Sequence, residues 1–307
     1  MKKHNSTMKK VEKKKNKTST NKYLRLFWTL FVGGVGFVVL IFALANFGVF
    51  GDMPTFDELE NPNSSLATEI ISADGKTIGK FYLENRVPVK YEDLPQHLVD
   101  ALIATEDERF YTHSGIDAKG TLRAVFSAGS SGGASTISQQ LAKNLFHGSS
   151  GASNKVFRVI HKIKDWIIAT TLERQYTKNE IIAHYFNTVD FVSNAYGIRS
   201  ASNIYFGKEP KNLTIEEGAV LVGMLQAPSR YNPRFHVERS KARRNIVLGQ
   251  MAKNGYLSNE EKERLQNTDL EINYTPETHT QGVGTYFREY LRDYMRKWVK
   301  EHPKKDG

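Results

Sequence analysis

The residues best suited to chemistry in this sequence are the acid, aromatic and imidazole groups of ALIATEDERFYTHSG, Ala101 to Gly115. Apolar residues recur at helical spacing through its first half, with Leu98 and Leu102 on one face. A buried helix that ends here would present Glu106 at its C-terminal end, where a carboxylate can act as a general base. A lone Glu at a helix end is more often only a solvated acid, so the assignment depends on its surroundings.

A second pattern, GGASTISQQLAKN, runs from Gly132 to Asn144. Thr136 and Gln139 have the spacing of a capping box, which predicts a helix that starts near Ile137. The N-terminus of a helix beside a Gly-rich loop also attracts anions, so the same residues could bind a pyrophosphate. Capping and anion binding are compatible, and the sequence predicts both.

Together, the two patterns resemble the first and second motifs of the family 51 glycosyltransferases. These are the peptidoglycan polymerases that occur alone or inside class A penicillin-binding proteins. The first pattern, Glu106-Asp107-x-x-Phe110-x-x-His113-x-Gly115, carries the likeness together with the second, which follows it in the family's order.

A third stretch, KVFRVIHKIKDWIIATTLERQYTKNEIIAHYFN, resembles the family's third motif with two departures. Where family members commonly have Arg-Lys-x-x-Glu, this chain has His161, Lys162 and Asp165. An Asp is one methylene shorter than a Glu, so its carboxylate stands about 1.5 Å further back. A basic residue that the family often has four positions before the Arg is Phe157 here, with Arg158 beside it.

The resemblance implies an enzyme that polymerises lipid II, a disaccharide-pentapeptide on undecaprenyl pyrophosphate, into β-1,4 glycan strands with release of undecaprenyl diphosphate. It implies that Glu106 is the catalytic base and that Asp165 is a second catalytic acid near the pyrophosphate. The residues expected to bind the substrate or its pyrophosphate are Arg123, Ser135, Thr136, Gln139, Gln140, Lys143, Asn144, Arg158 and Lys162. Glu173 matches another acid of the family and is interpreted as structural, paired with a neighbouring base.

Cofactor use follows from the same resemblance. No cofactor is expected to be required, and a Mg²⁺ ion bridged by the pyrophosphate is implied by analogy alone. No set of protein metal ligands can be read from the sequence. The absence of cysteine excludes disulfides and thiolate metal sites.

The formal charge of +10 lies almost entirely in the first 26 residues, which contain ten Lys or Arg and one acid; residues 27–307 carry only +1. This distribution indicates a solvated basic tail and argues against nucleic acid as a partner. The uncharged run FWTLFVGGVGFVVLIFALANFGVF, Phe27 to Phe50, is 24 residues long and can cross a bilayer. The alternative, a cleaved signal peptide, usually has a shorter apolar region.

The position of the basic residues predicts the orientation of the chain in the membrane. Because they precede the apolar run, the N-terminus should be cytoplasmic, and the chain should cross the cytoplasmic (inner) membrane once. The catalytic domain is then extracytoplasmic.

The sequence predicts a mainly α-helical protein in which β-rich runs around Ala73 to Lys76 form a short N-terminal hairpin. The resemblance implies a lysozyme-like arrangement of the helical domain. The predicted divisions are a basic tail at 1–26, a transmembrane helix at 27–50, a linker and hairpin at 51–93, the glycosyltransferase domain at 94–253, and a C-terminal helical extension or the start of a linker to an absent transpeptidase domain at 254–307.

Two other functions remain open at this point. A membrane-anchored muramidase or lytic transglycosylase would also need one buried Glu, acting as an acid. Cleavage needs no pyrophosphate site, so the second pattern favours synthesis. A catalytically inactive anchor for wall enzymes is kept open by His161 and Asp165. The expected partners are lipid II, the growing glycan chain and the membrane, and other cell-wall synthesis proteins are further candidates.

Overall fold

The structure is a computed structural model that describes residues 2–49, 68–71, 73, 77–81, 88–126, 135–146, 155–275 and 285–302. Most of these residues are helical, which confirms the predicted helical fold class. The helices are α1 (Lys2–Asn46), α2 (Gln96–Glu106), α3 (Ala118–Phe126), α4 (Ile137–Phe146), α5 (Lys155–Gln175), α6 (Lys178–Thr188), α7 (Gly197–Phe206), α8 (Ile215–Met224), α9 (Val237–Lys253), α10 (Asn259–Asn267) and α11 (Thr285–Glu301). Short 3-10 turns occupy Tyr91–Asp93, Phe110–Thr112 and Pro210–Asn212.

The chain divides into two compact units. The first contains α1 and the beginning of α5, up to Lys164, and the second contains α5 from Asp165 onward with the strands and the remaining helices. Within the first unit, Lys22–Ala45 of α1 is long and apolar enough to cross a membrane, with a mean hydropathy of 2.4. This segment overlaps the predicted span at 27–50.

Two short strands precede the helices of the second unit. Strand β1 (Thr68–Ile71) pairs antiparallel with β2 (Thr77–Phe81), and Thr68 lies opposite Phe81. Of the predicted turn between them, only Ala73 is among the described residues.

The core of the second unit is built from α2, α8 and α9, which pack on one another. After the two acids of its first turn, helix α8 is apolar on all sides, and every residue from Gly218 to Met224 is buried. A helix of this composition is stable only inside a core. Each Val or Leu side chain buried there contributes about 1.5–3 kcal/mol to folding.

Two further helices bring the second motif close to this core. Helix α4 packs against α6, which packs against α7, and α7 in turn contacts α8. Helix α4 begins at Ile137, as the capping pattern predicts. The core therefore supports both the end of α2 and the beginning of α4.

Candidate active site

Glu106 is the last residue of α2, as the sequence predicts, and its side chain is half-buried. Leu98, Leu102 and Ile103 anchor the same helix in the core, each with 2% exposure or less. The helix ends because Asp107 leaves helical geometry, at φ −156° and ψ 74°. A well-packed helix thus fixes where the Glu106 carboxylate can reach, while leaving that carboxylate partly accessible.

Two side-chain hydrogen bonds in series hold this carboxylate. The Gln140 amide Nε2 donates to Glu106 Oε2 at 2.8 Å, and the Tyr185 hydroxyl donates to Gln140 Oε1 at 2.9 Å. Tyr185 is 1% exposed. Burial, reinforced by the charge of Glu106, raises the pKa of the Tyr185 hydroxyl well above its usual range. Tyr185 therefore stays a neutral hydrogen-bond donor at any pH at which an enzyme works.

Asp107 joins the first motif to the beginning of α4. Its carboxylate oxygens both lie 3.0 Å from His113 Nε2, and Oδ2 accepts the backbone N–H of Ile137 at 3.1 Å. Asp107 is only 7% exposed. A carboxylate at a helix N-terminus is stabilised by the unsatisfied N–H groups and by the helix dipole. One buried side chain thus caps the helix that carries the second motif.

The backbone carbonyl of Gly115 receives two further hydrogen bonds from the second motif. Thr136 Oγ1 donates to it at 2.7 Å and Gln139 Nε2 at 3.1 Å. Thr136 Oγ1 also accepts the N–H of Gln139 at 3.2 Å, which is the predicted capping bond. Both side chains are 1% exposed, so their polar groups are used inside the protein.

Gly115 is required at its position by its backbone geometry. Its φ is +89°, and a Cβ there would lie 2.9 Å from the backbone of Ala169. Only glycine tolerates both the left-handed conformation and this close approach. The first motif can therefore pass directly over α5.

Glu173 links α5 and α6 to both motifs. Its side chain, 4% exposed, lies 2.7 Å from the Lys178 ammonium and accepts the Ser138 hydroxyl. The same ammonium donates to the backbone carbonyl of His113 at 2.7 Å and lies 4.3 Å from the centre of the Phe110 ring. The predicted pairing of Glu173 with a nearby base is confirmed.

An ion pair between Arg109 and Asp117 closes the loop that leads to α3. Burial alone would raise the pKa of Asp117, but hydrogen bonds from Arg109 and from the Gly120 backbone lower that pKa below its ordinary value. The ion pair therefore holds the loop at the start of α3, the helix that carries Arg123.

The predicted ligands on α3 and α4 are more accessible than the residues beneath them. Arg123, Lys143 and Asn144 are exposed, and Ser135 is half-buried. The Arg123 guanidinium lies 3.7 Å from Glu108, a long contact between partly exposed groups. A substrate can reach all four of these side chains.

The remaining predicted site residues lie on α5. Asp165, in the second unit, is buried with 6% exposure. Arg158 is exposed and Lys162 half-buried, and both belong to the first unit. In the second unit, hydrogen bonds join two pairs of predicted site residues, Glu106 with Gln140 and Thr136 with Gln139.

Sequence reasoning missed three residues of this network: Ser138, Lys178 and Tyr185. Lys178 could have been found as the base expected to pair with Glu173, since it lies only five residues further along the chain. Tyr185 is separated from Gln140 by 45 residues, so no local pattern marks it.

The site contains the partly accessible Glu106 carboxylate, held by the Gln140 amide. Exposed cationic and polar side chains occur in the same stretch of sequence. Within the described ranges, no group of three or more His, Asp or Glu side chains could hold a metal ion. A carboxylate, an amide and cations of this kind can abstract a proton and stabilise negative charge.

Comparison with known proteins gives consistent matches to one family. A family model described as Transglycosylase matches residues 74–252. The chain is 39% identical over 236 residues to penicillin-binding protein 1F of Bacillus subtilis (strain 168), covering 76% of this chain and 32% of the relative. It is 42% identical over 208 residues to penicillin-binding protein 1A of Haemophilus influenzae, covering 66% and 23%.

Two further similar proteins are a curated relative and a solved structure. Penicillin-binding protein 1A of Escherichia coli (strain K12) is 37% identical over 226 residues, covering 72% of this chain and 26% of that protein. A crystal structure of penicillin-binding protein 1A from Haemophilus influenzae aligns with a TM-score of 0.39 at 24% identity, covering 77% of this chain and 24% of that one. The chain spans about a third or less of the length of these curated relatives.

The site generates a prediction about stability. Replacing Asp107 with Ala leaves the Ile137 N–H and His113 without their shared buried acceptor, so the free energy of unfolding should fall by about 2 kcal/mol. Asp269→Ala is the matched control, because it also deletes a carboxylate in contact with a basic side chain, but one that is 91% exposed. Thermal unfolding in detergent should give a lower Tm for Asp107→Ala and an unchanged Tm for the control. Equal Tm values would show that Asp107 does not hold the two motifs together.

Proposed function

The chain belongs to the transglycosylase family, and we propose on that basis that it is a membrane-anchored peptidoglycan glycosyltransferase that polymerises lipid II into β-1,4 glycan strands. The observation that carries the proposal is the half-buried Glu106 carboxylate, held by Gln140 at the meeting point of two motifs. The family match at residues 74–252 includes both motifs.

In the proposed reaction, the 4-hydroxyl of an acceptor sugar attacks C1 of the lipid-linked glycan chain. Glu106 takes the hydroxyl proton as the new C–O bond forms, and the bond from C1 to the pyrophosphate oxygen breaks. The electron pair of that bond leaves with undecaprenyl diphosphate, and the configuration at C1 inverts from α to β. Such a step needs a base at the hydroxyl and positive groups at the leaving oxygen.

Exposed cations and polar groups supply the second requirement. We assign Arg123 and Lys143 to the pyrophosphate, with Ser135 and Asn144 as hydrogen-bonding groups, because all four are accessible. From the family resemblance, Arg158 and Lys162 are proposed as further cations for the substrate, and Asp165 is proposed as a second acid.

We assign a role other than direct substrate binding to Thr136, Gln139 and Gln140. The polar groups of Thr136 and Gln139 are bonded to Gly115 and are buried, so we propose that they act on the substrate indirectly, by fixing the start of α4. Gln140 acts at the base itself. This assignment refines the substrate-binding role expected from the sequence.

The proposal extends to fold and location. A lysozyme-like arrangement of the helices is proposed for the second unit on the strength of the family. The apolar segment Lys22–Ala45 supports a membrane anchor, and the basic residues before it support a cytoplasmic N-terminus with the catalytic domain on the other face of the cytoplasmic membrane. Lipid II, the growing glycan chain, the membrane and other wall-synthesis proteins are the proposed partners. No cofactor is proposed to be required, and no step is assigned to a metal ion.

The function is tested by changing the base. Glu106→Gln keeps the shape of the side chain, and its amide oxygen can still accept from Gln140, so the fold should be unaffected. Polymerisation should fall by about 10²- to 10⁴-fold, because the new side chain cannot take the proton. Purified protein in detergent with labelled lipid II, followed by separation of the glycan products, gives the rate.

Glu263→Gln is the matched control, since its side chain is 71% exposed on α10, and it should retain the full rate. Near-normal glycan synthesis by Glu106→Gln would exclude Glu106 as the base. Cleavage of preformed glycan by the unmodified chain would identify a muramidase or lytic transglycosylase, and the absence of either activity would favour an inactive anchor.

A second test concerns Asp165, which we propose as a working acid one methylene shorter than the family's Glu. Asp165→Asn removes the charge, whereas Asp165→Glu keeps it on a longer arm. Polymerisation should therefore fall much further for Asn than for Glu, by as much as about 10²-fold. The same lipid II assay gives both rates. If Asn, Ala and Glu at this position all polymerise at the unmodified rate, Asp165 has no catalytic part, and the role of Glu106 is unaffected.

A further inference from the structure

The Gln140 side chain, which holds the Glu106 carboxylate, ends in an amide whose two atoms are similar in shape, but one donates hydrogen bonds and the other accepts them. The Gln140 amide stabilises the carboxylate only when its NH₂ group faces Glu106 Oε2, at the observed 2.8 Å. Turned by half a rotation, the same amide would place its oxygen against a carboxylate oxygen, and two acceptors repel. The acceptor-only carboxylate therefore favours one orientation of the amide, and a donor at the amide oxygen reinforces it.

The Tyr185 hydroxyl contacts the other end of the amide and is placed to hold it in this orientation. It donates to Gln140 Oε1 at 2.9 Å, and a phenol O–H can satisfy the amide oxygen with its only proton. Tyr185 is 1% exposed, on a helix that packs directly against the helix of Gln140. Its ring therefore has little freedom to move away from the amide.

We propose that Tyr185 is a positioning residue for the catalytic base, which orients the Glu106 carboxylate through the Gln140 amide. The proposal rests on the function proposed above, because it assigns Tyr185 a task in the same reaction. Tyr185 acts through Gln140, by holding the amide in place with its NH₂ group towards the base.

The rate depends on this arrangement because a Glu side chain at a helix end is flexible. Without the Tyr185 hydroxyl, the Gln140 amide is held less firmly. The Glu106 carboxylate then spends less of its time in one position. A displacement of about 1 Å in a reacting group can reduce a rate by as much as 10²-fold. Lipid II binding uses other side chains, so substrate affinity should not depend on Tyr185.

The test is Tyr185→Phe, which removes the hydroxyl and keeps the ring. The value of kcat for lipid II polymerisation should fall by about tenfold, with KM within about twofold of the unmodified value, as expected when an interaction needed only for the chemical step is lost. Tyr205→Phe is the matched control. Its hydroxyl is also buried, and donates to the Phe191 carbonyl at 2.9 Å, outside the site.

A double-mutant cycle shows whether the effect passes through Gln140. Gln140→Met keeps the length of the side chain and removes the amide, so the Tyr185 hydroxyl then has nothing to orient. Adding Tyr185→Phe to Gln140→Met should cost no further activity, because the two changes remove the same interaction. Thermal unfolding of each variant separates this effect from a loss of folded protein.

The outcomes distinguish the inference from the function on which it rests. An unmodified chain that does not polymerise lipid II, or an active Glu106→Gln variant, would overturn the proposed function and the inference together. If the chain polymerises and Glu106→Gln is inactive, three results overturn the inference alone: an unchanged kcat in Tyr185→Phe, an equal loss in Tyr205→Phe, or losses in the cycle that simply multiply.

Discussion

The arrangement of the site depends on one buried carboxylate, that of Asp107. It follows directly after the end of α2 and caps the beginning of α4, while its other contact holds His113. A cap fixes both the starting residue and the direction of a helix. Gln140 lies one turn inside α4, so the cap determines that its amide meets Glu106. Together with the hydrogen bonds from Thr136 and Gln139 to the Gly115 carbonyl, this junction defines the distance between the two motifs.

Around this junction, the polar residues divide into two groups with different tasks. Thr136, Gln139 and Glu173 are buried, and their hydrogen bonds end inside the protein. Buried polar groups must be satisfied in this way, since each one left unpaired would cost about 1–3 kcal/mol. Arg123 and Lys143, by contrast, are exposed. A pyrophosphate carries negative charge, so exposed cations suit the proposed reaction, in which the leaving group becomes more negative as the bond breaks.

The sequence predicted the parts of this site that depend on local interactions. The end of α2 at Glu106 and the beginning of α4 at Ile137 follow from apolar spacing and a capping pattern, both of which act within a few residues. The partner of Gln140 could not be predicted, because the contact with Tyr185 joins residues 45 apart. The burial of Thr136 and Asp165 also depends on which helices pack over them, and periodicity does not contain that information. The resemblance to a family therefore named the candidate residues, whereas the structure was needed to separate the buried ones from those that a substrate can reach.

The central claim is that the Glu106 carboxylate takes the proton of the attacking hydroxyl. The most direct measurement is the initial rate of lipid II polymerisation by a Glu106→Ala variant at increasing concentrations of formate, with chloride at the same ionic strength as the reference. Because Glu106 is half-buried and accessible, formate can enter the space that its side chain leaves. If a carboxylate at this point is the base, the rate should rise with formate and not with chloride. A rate that stays at the same low value at every formate concentration would contradict the account.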